Sequence, residues 1–145
     1  MAEINWSDPA GATSYLTTEL NSLADGAGVL GAAIGNGDGK RWALIEVSLA
    51  TQGSARDNGA HVDIYVVRSA DDGTTYDYGA ASPLPGGHAL AGSIEFDAAT
   101  TARVGVCEIA LPPGYFKLLV LNNTGQAWGA TGNTVRHNFF SEETN

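Results

Sequence analysis

The sequence predicts an all-β protein: an antiparallel β-sandwich of about eight short strands, with one short helix near the N-terminus. Apolar and polar residues alternate with a period of two over most of the chain, which is the pattern of half-buried strands. Segments rich in Gly, Pro, Asn and Asp separate these stretches at regular intervals, as in sandwiches and barrels. Helical patterns do not alternate with the strands, as a doubly wound parallel sheet requires. A sandwich of this size and strand number is commonly a jelly roll, although the sequence does not fix the strand order.

The first twelve residues form a separate unit in this reading. Residues 1–12 are predicted to be an N-terminal arm, because the large apolar residues Ile4 and Trp6 are followed by a Ser-Asp-Pro turn sequence. Such an arm docks either on its own domain or on a partner, and both possibilities stay open here. Residues 13–145 are predicted to be a single β-sandwich domain.

The predicted helix covers residues 13–25. Leu16, Leu20 and Leu23 have the i, i+4, i+7 spacing of one apolar helix face. Thr or Ser residues at its start and Gly26 at its end are suitable caps.

The rest of the domain is predicted to be strands, ending in a polar tail at residues 141–145. The stretch 115–121 is the most apolar and is expected at the centre of a sheet. In the stretches 42–49 and 61–67, one set of alternate residues is apolar and is expected to face the core. The predicted strands are 29–34, 42–49, 61–67, a short strand holding Tyr76 and Tyr78, 90–96, 103–111, 115–121 and 134–140.

Charge and cysteine content exclude several classes of partner. The net charge is −9 and only seven residues are basic, so binding to nucleic acid or to an anionic membrane is not expected. One cysteine permits no internal disulfide. Neither a leader peptide nor a long apolar span is visible, which predicts a protein made in a cytosol-like compartment.

The sequence offers no catalytic motif, and neither an enzyme nor a cofactor site is expected. Cys107 lies among apolar neighbours and is interpreted as an inert core thiol. His61 and Asp63 share a strand face and form a weak candidate for a cation site, against the simpler interpretation of a solvated face. The mid-strand acids that a glycosidase pair would require are Glu46, Asp63, Glu95 and Glu108.

Aromatic residues in or beside loops are the better candidates for function. They can plug the ends of a sandwich, anchor a protein interface or stack on sugars, and these three alternatives stay open. The residues predicted to contact a partner protein are Ile4, Trp6, Trp42, Tyr76, Tyr78 and Trp128.

Two segments give the chain a resemblance to a known family. The segments "SADDGTTYD" and "PPGYFKLLVLNNTGQA", within a similarity spanning about residues 13–143, resemble small virion proteins of tailed bacteriophages. The nearest similarity is to capsid cement, or decoration, proteins with jelly-roll folds. The resemblance implies a non-enzymatic dimer or trimer on the outer capsid surface, which clamps neighbouring major capsid protein subunits. The alternatives are a carbohydrate-binding sandwich and another structural component of a phage tail or neck.

Overall fold

The structure, a computed structural model, describes residues 4–7, 11–77 and 84–144. Within these ranges the chain forms eleven strands and two 3-10 turns, at Thr18–Leu20 and Gly87–Ala89. None of the helical segments in these ranges is long and apolar enough to cross a membrane. The strands are β1 (Ile4–Trp6), β2 (Thr13–Leu16), β3 (Gly28–Leu30), β4 (Ile34–Asn36), β5 (Trp42–Leu49), β6 (His61–Arg68), β7 (Leu90–Glu95), β8 (Arg103–Ala110), β9 (Gly114–Asn123), β10 (Thr134–Phe140) and β11 (Glu142–Thr144).

Two antiparallel sheets enclose one hydrophobic core, in the sandwich-like arrangement that the alternating pattern predicts. The four-stranded sheet has the order β2-β10-β5-β8. The five-stranded sheet has the order β3-β9-β6-β7, and β4 also pairs with β9. Strands β1 and β11 form a separate two-stranded ribbon. The all-β antiparallel class is therefore confirmed.

The core lies where the period-two pattern places it. Strand β9, which contains the most apolar segment, pairs with β3, β4 and β6 and so occupies the interior of its sheet, as predicted. Burial of each such side chain contributes roughly 1.5–3 kcal/mol to folding. The inward residues of β5 and β6 are all buried: Ala43, Ile45, Val47, Leu49, Val62, Ile64 and Val66.

The predicted helix at residues 13–25 is wrong. The segment instead forms β2, which pairs with β10, and then a single 3-10 turn at Thr18–Leu20. Leu16 and Leu20 are buried in the core, so the apolar spacing reflects core contacts made from irregular chain. The Thr, Ser and Tyr residues that surround these leucines favour extended chain and turns over helix interior.

The strand count and the C-terminal tail also differ from the prediction. The structure has eleven strands within the described ranges instead of about eight. Strands β1, β2 and β11 were not predicted, and the predicted strand 29–34 corresponds to two short strands, β3 and β4. The predicted strand at Tyr76 is reduced to one isolated bridge between Ser69 and Tyr76, while Tyr78 lies outside the described residues. The polar tail contains β11, whose backbone pairs with that of β1.

The ribbon joins the first and last described strands. Ile4 pairs with Thr144 and Trp6 with Glu142. Next to the ribbon, the Ser7 amide donates to the Ser141 carbonyl at 2.8 Å, and the Ser141 amide donates to the Ser7 hydroxyl at 2.9 Å. The described part of the predicted arm is thus hydrogen-bonded to its own chain.

Tyr15 links the two sheets at one edge of the sandwich. Its hydroxyl donates to the Ala32 carbonyl at 2.6 Å and accepts the Leu118 amide at 3.2 Å. Tyr15 belongs to the four-stranded sheet and Leu118 to the five-stranded sheet, so one side chain links both. Burial raises the pKa of the Tyr15 hydroxyl.

At the opposite edge of the sandwich, the inward faces of β7 and β8 pack closely against each other. A Cβ atom added at Gly105 would overlap the Ile94 side chain, and one added at Gly92 would lie 3.0 Å from the Cys107 sulfur. Glycine at these two positions therefore allows the two sheets to approach closely, because a larger residue in either strand would contact the other sheet.

A buried arginine joins two loops at one end of the sandwich. The Arg56 side chain is fully buried, with its Nε donating to the Asp97 carbonyl at 3.0 Å and its Nη2 to the Thr101 carbonyl at 3.0 Å. Nη2 also lies 3.1 Å from the Asp97 carboxylate, which receives a second cation, Arg103, at 2.7 Å. The hydrogen bond from Arg103, followed by that from Arg56, lowers the pKa of Asp97.

Candidate protein interface

The aromatic residues predicted to contact a partner occupy different environments. Trp6 is the most exposed, with 60% of its surface accessible, and Trp42 and Tyr76 are half-buried. Trp128 is only 3% exposed and packs in the core. Tyr78 lies outside the described residues.

Ile4 and Trp6 lie in β1, where the ribbon places Trp6 beside the four-stranded sheet. The Trp6 ring contacts Phe140 edge-on, with ring centroids 5.5 Å apart and an interplanar angle of 67°. Because Phe140 itself is nearly buried, Trp6 covers the end of β10 with one side of its ring and exposes the rest.

Trp6 marks one end of an apolar strip on the outer face of the four-stranded sheet. Leu44, Val106 and Val104 lie on this face, with 37%, 54% and 62% of their surfaces exposed. The strand register places Leu44 beside Glu108 and Glu46 beside Val106. We call the four residues Trp6, Leu44, Val104 and Val106 the outer strip.

A shallow cavity of 400 Å³ lies at the Trp6 end of the outer strip. It is lined by Trp6, Ser7, Leu44, Glu108 and Phe140. Apolar walls with a single carboxylate at the margin suit an inserted apolar side chain better than a charged ligand.

The charges around the outer strip are largely paired. The Arg136 guanidinium donates to the Glu46 carboxylate from Nη2 at 2.6 Å and from Nε at 2.9 Å. Near the ribbon, Arg41 lies 3.6 Å from Glu142. The pairing of Glu46 with Arg136 lowers the cost of bringing another protein surface against this face, since both charges keep their partner when water is removed.

A second concave surface lies beside Tyr76. It is a groove of 720 Å³ whose lining includes Arg68, Asp71, Tyr76 and Pro113. The Lys117 ammonium lies 4.2 Å from the centre of the Tyr76 ring, a cation–π contact. A hydrogen bond from the Thr75 amide, together with hydrogen bonds from side chains, lowers the pKa of Asp71. The Asp71 carboxylate therefore already accepts hydrogen bonds within its own turn.

The weak metal candidate forms a small polar cluster. His61 Nε2 lies 3.7 Å from the Asp63 carboxylate, which also accepts a bond from the Asn123 amide at 2.9 Å. Among the described residues, no group of three or more His, Cys, Asp or Glu side chains has the geometry to hold a metal ion. The candidate cation site therefore consists of the His61 imidazole, the Asp63 carboxylate and the Asn123 amide.

The mid-strand acids are divided between the two sheets. Glu46 and Glu108 lie in the four-stranded sheet, and Asp63 and Glu95 lie in the five-stranded sheet. Glu46 is bonded to Arg136, as described above. Cys107 faces inward, and burial raises the pKa of its thiol to about 11.

Two features of this region were missed in the sequence. One is that His137 faces the core: it pairs with the inward Ile45 and stacks on Phe139 with ring centroids 4.3 Å apart, and burial lowers its pKa. The other is the exposed surface formed by Val104 and Val106, the outward valines of β8. Their alternation with Cys107 and Ile109, the inward residues, is the signal that identifies them.

Comparisons with models of known protein families, with curated proteins and with solved structures find no match to this chain.

Proposed function

We propose that the chain is a structural, non-enzymatic protein of a virus particle. In this proposal it binds the outside of a tailed-phage capsid as a homo-oligomer and stabilises the contacts between major capsid protein subunits, after synthesis in the host cytoplasm. The observation that carries the proposal is the outer strip, because several exposed apolar side chains on one sheet face, among polar residues, are typical of protein-binding sites. The sequence resemblance to phage decoration proteins suggests the major capsid protein as the partner.

The strand order supports a jelly roll as the finer description of the fold. Strands β2, β5, β8 and β10 form one sheet, and strands β3, β6, β7 and β9 form the other path. In each sheet a strand from the C-terminal half, β10 or β9, lies between two strands from the N-terminal half. Jelly rolls are frequent in viral capsid proteins and in lectins.

The charge balance suits an outer position in a particle. A net charge of −9 disfavours capture by packaged nucleic acid. Many copies bound to one shell, each through a small apolar contact, would be retained far more strongly than a single copy.

Co-sedimentation with empty shells tests the proposal. The shells are assembled from the major capsid protein encoded by the same genome, and unassembled subunits serve as a second probe. We expect the full chain to pellet with shells and not to bind free subunits. Failure to bind shells, or equal binding to free subunits, would overturn the proposal.

A substitution at Trp6 links shell binding to the outer strip. Loss of an exposed aromatic anchor typically costs about 2 kcal/mol of binding free energy, or roughly 30-fold in affinity. We expect Trp6→Ser to weaken shell binding by about this factor. Tyr115→Ser, which removes an exposed aromatic residue from the five-stranded sheet, is the matched control and should bind normally.

Carbohydrate binding is the second candidate, and the groove beside Tyr76 is the observation that favours it. An aromatic ring with the Arg68 side chain nearby has the composition of a sugar site. Calorimetric titration with host polysaccharide fragments tests it, with Tyr76→Ala expected to abolish the heat and Trp6→Ala, at an exposed aromatic residue beside the other sheet, to leave it unchanged. Absence of heat at millimolar sugar would exclude this function.

A tail or neck component of the phage is a further alternative. It would bind protein through the outer strip in the same way and differ only in its location in the particle.

A further inference from the structure

Strand β8 ends the four-stranded sheet with one edge unpaired by any described strand. It pairs with β5 through eight residues on one side, from Arg103 to Ala110, with no shift of register. On its other side, alternate backbone N–H and C=O groups have no strand partner within residues 4–7, 11–77 and 84–144. An edge strand of this kind is a template for pairing with another strand.

Beyond its first residue, the edge lacks the protection that isolated edge strands usually carry. Proteins commonly protect such edges with inward charges, lysine, proline or a bulge. Strand β8 has no proline or lysine, its one charge on the inward side, Arg103, lies at its first residue and is bonded to Asp97, and its outward residues Val104 and Val106 are more than half exposed. A regular edge that is apolar on its outer face suits a strand-to-strand contact.

We propose that β8 pairs with β8 of a second copy of this chain, antiparallel, around a twofold axis at Gly105. This register places Val104 of each copy directly opposite Val106 of the other, on the outer face. A shift of one residue in one strand would place outward valines opposite inward residues of the partner strand. Pairing centred on Val106 would instead place Val104 opposite Glu108, an apolar residue against a carboxylate.

The charges of β8 favour the antiparallel over the parallel orientation. The strand carries Arg103 at its start and Glu108 near its end, on opposite faces, since Arg103 pairs with the inward Leu49 and Glu108 with the outward Leu44. In the antiparallel register each of these two residues lies opposite an uncharged residue of the second copy, whereas parallel pairing in register would bring like charges together.

The pairing would join two four-stranded sheets into one sheet of eight strands. Because the twofold axis is perpendicular to the sheet, Trp6 and Leu44 of both copies would face the same side. The dimer would then present two apolar contacts to a shell. This role in shell binding rests on the proposed function, whereas the dimer itself does not. Dimerisation is measured without shells, and its failure would leave the Trp6 result unaffected.

Sedimentation velocity on the full chain tests the dimer. We expect the wild-type chain to sediment as a dimer and Val104→Lys/Val106→Lys to sediment as a monomer, with unchanged circular dichroism as evidence of folding. Leu90→Lys places a lysine at a similarly exposed apolar position on β7 and should remain dimeric. A monomeric or trimeric wild type, or loss of the dimer in Leu90→Lys as well, would overturn the proposal.

Cysteine cross-linking tests the register. In a Cys107→Ala background, chains carrying Val104→Cys are mixed with chains carrying Val106→Cys and oxidised mildly. We expect a covalent dimer in the mixture and almost none in either preparation alone, since only opposite positions lie within disulfide reach. Cross-linking of Val106→Cys with itself would place the axis at Val106 and contradict the proposed register.

Discussion

Arg56 shows how one residue determines the geometry of a whole end of the sandwich. Its guanidinium is completely buried, and carbonyl groups of Asp97 and Thr101 accept its hydrogen bonds. A buried cation is tolerated only when its donors are satisfied in this way. The loop containing Arg56 and the loop after β7 are consequently held together by a single side chain.

Replacement of Arg56 by methionine should destabilise the fold. The change keeps much of the side-chain volume but leaves the carbonyl groups of Asp97 and Thr101 without donors, which costs about 2–4 kcal/mol. Urea unfolding measures this loss. Arg103→Met removes the exposed partner of the same carboxylate and should cost less than about 1 kcal/mol; equal losses in the two variants would contradict the special role of Arg56.

The ion pairs of Asp97 predict a dependence of stability on acid. Its pKa is lower in the folded chain than the value of about 3.9 in an unfolded chain. The pairs therefore stabilise the fold at higher pH, and their contribution is lost as the pH falls through the lowered pKa. We expect the free energy of unfolding to decline between about pH 5 and pH 3, and Asp97→Asn to reduce that decline.

Some slope should remain in Asp97→Asn, because backbone hydrogen bonds also lower the pKa of Glu19 and Asp71. Unfolding curves for the wild type and Asp97→Asn at several pH values provide the measurement. An identical slope in both proteins would show that Asp97 does not contribute to the acid dependence.

The sequence predicts residue burial well within strands and poorly within loops. Alternation placed Ile45, Val62 and Val66 on the correct sides of their strands, because a strand fixes the direction of every side chain. Arg56 lies in a polar loop where no periodicity operates, and its burial depends on a loop 41 residues further along the chain. Local sequence carries no signal for such a contact.

At the scale of elements, Tyr15 is the residue that links β2 to the opposite sheet. We expect Tyr15→Phe to lose about 1–2 kcal/mol of stability, because the Leu118 amide and the Ala32 carbonyl lose their shared partner. Thermal or urea unfolding would detect this change. Tyr115→Phe, at an exposed tyrosine, is the control, and a similar loss there would contradict the explanation.

The contact between β7 and β8 makes a separate prediction. Gly105→Ala introduces a methyl group that overlaps Ile94, and overpacking of this kind costs typically 1–3 kcal/mol. Gly53→Ala adds a methyl group that meets no other atom within 4 Å and should be neutral by comparison. Equal unfolding midpoints for the two variants would show that the two sheets can separate here at no cost.

The segment at residues 13–25 shows where element prediction fails. Its leucines have helical spacing, yet the chain forms β2 and one 3-10 turn. Strand β2 pairs with the distant strand β10, with Thr13 opposite His137. This pairing supplies backbone hydrogen bonds that local spacing does not reveal. Short strands such as β1 and β11 escape prediction for the same reason, since each exists only through its distant partner.

At the scale of the whole molecule, the class of fold follows from the sequence and the strand order does not. Period-two alternation is a local property, whereas the orders β2-β10-β5-β8 and β3-β9-β6-β7 depend on pairings between distant segments. The candidate site is likewise predictable from the sequence only in part. Trp6 was identified from the sequence as a partner contact and is exposed, but its position beside Leu44 on the outer face required the register of the ribbon and the sheet.

The central claim is that the outer face of the four-stranded sheet binds protein in an assembled particle. A cryo-electron microscopy map of empty shells incubated with the full chain tests it most directly. We expect density for the sandwich on the outer surface, with Trp6 and Leu44 against the shell. A shell without such density, or a bound chain whose outer strip faces solvent, would contradict the claim.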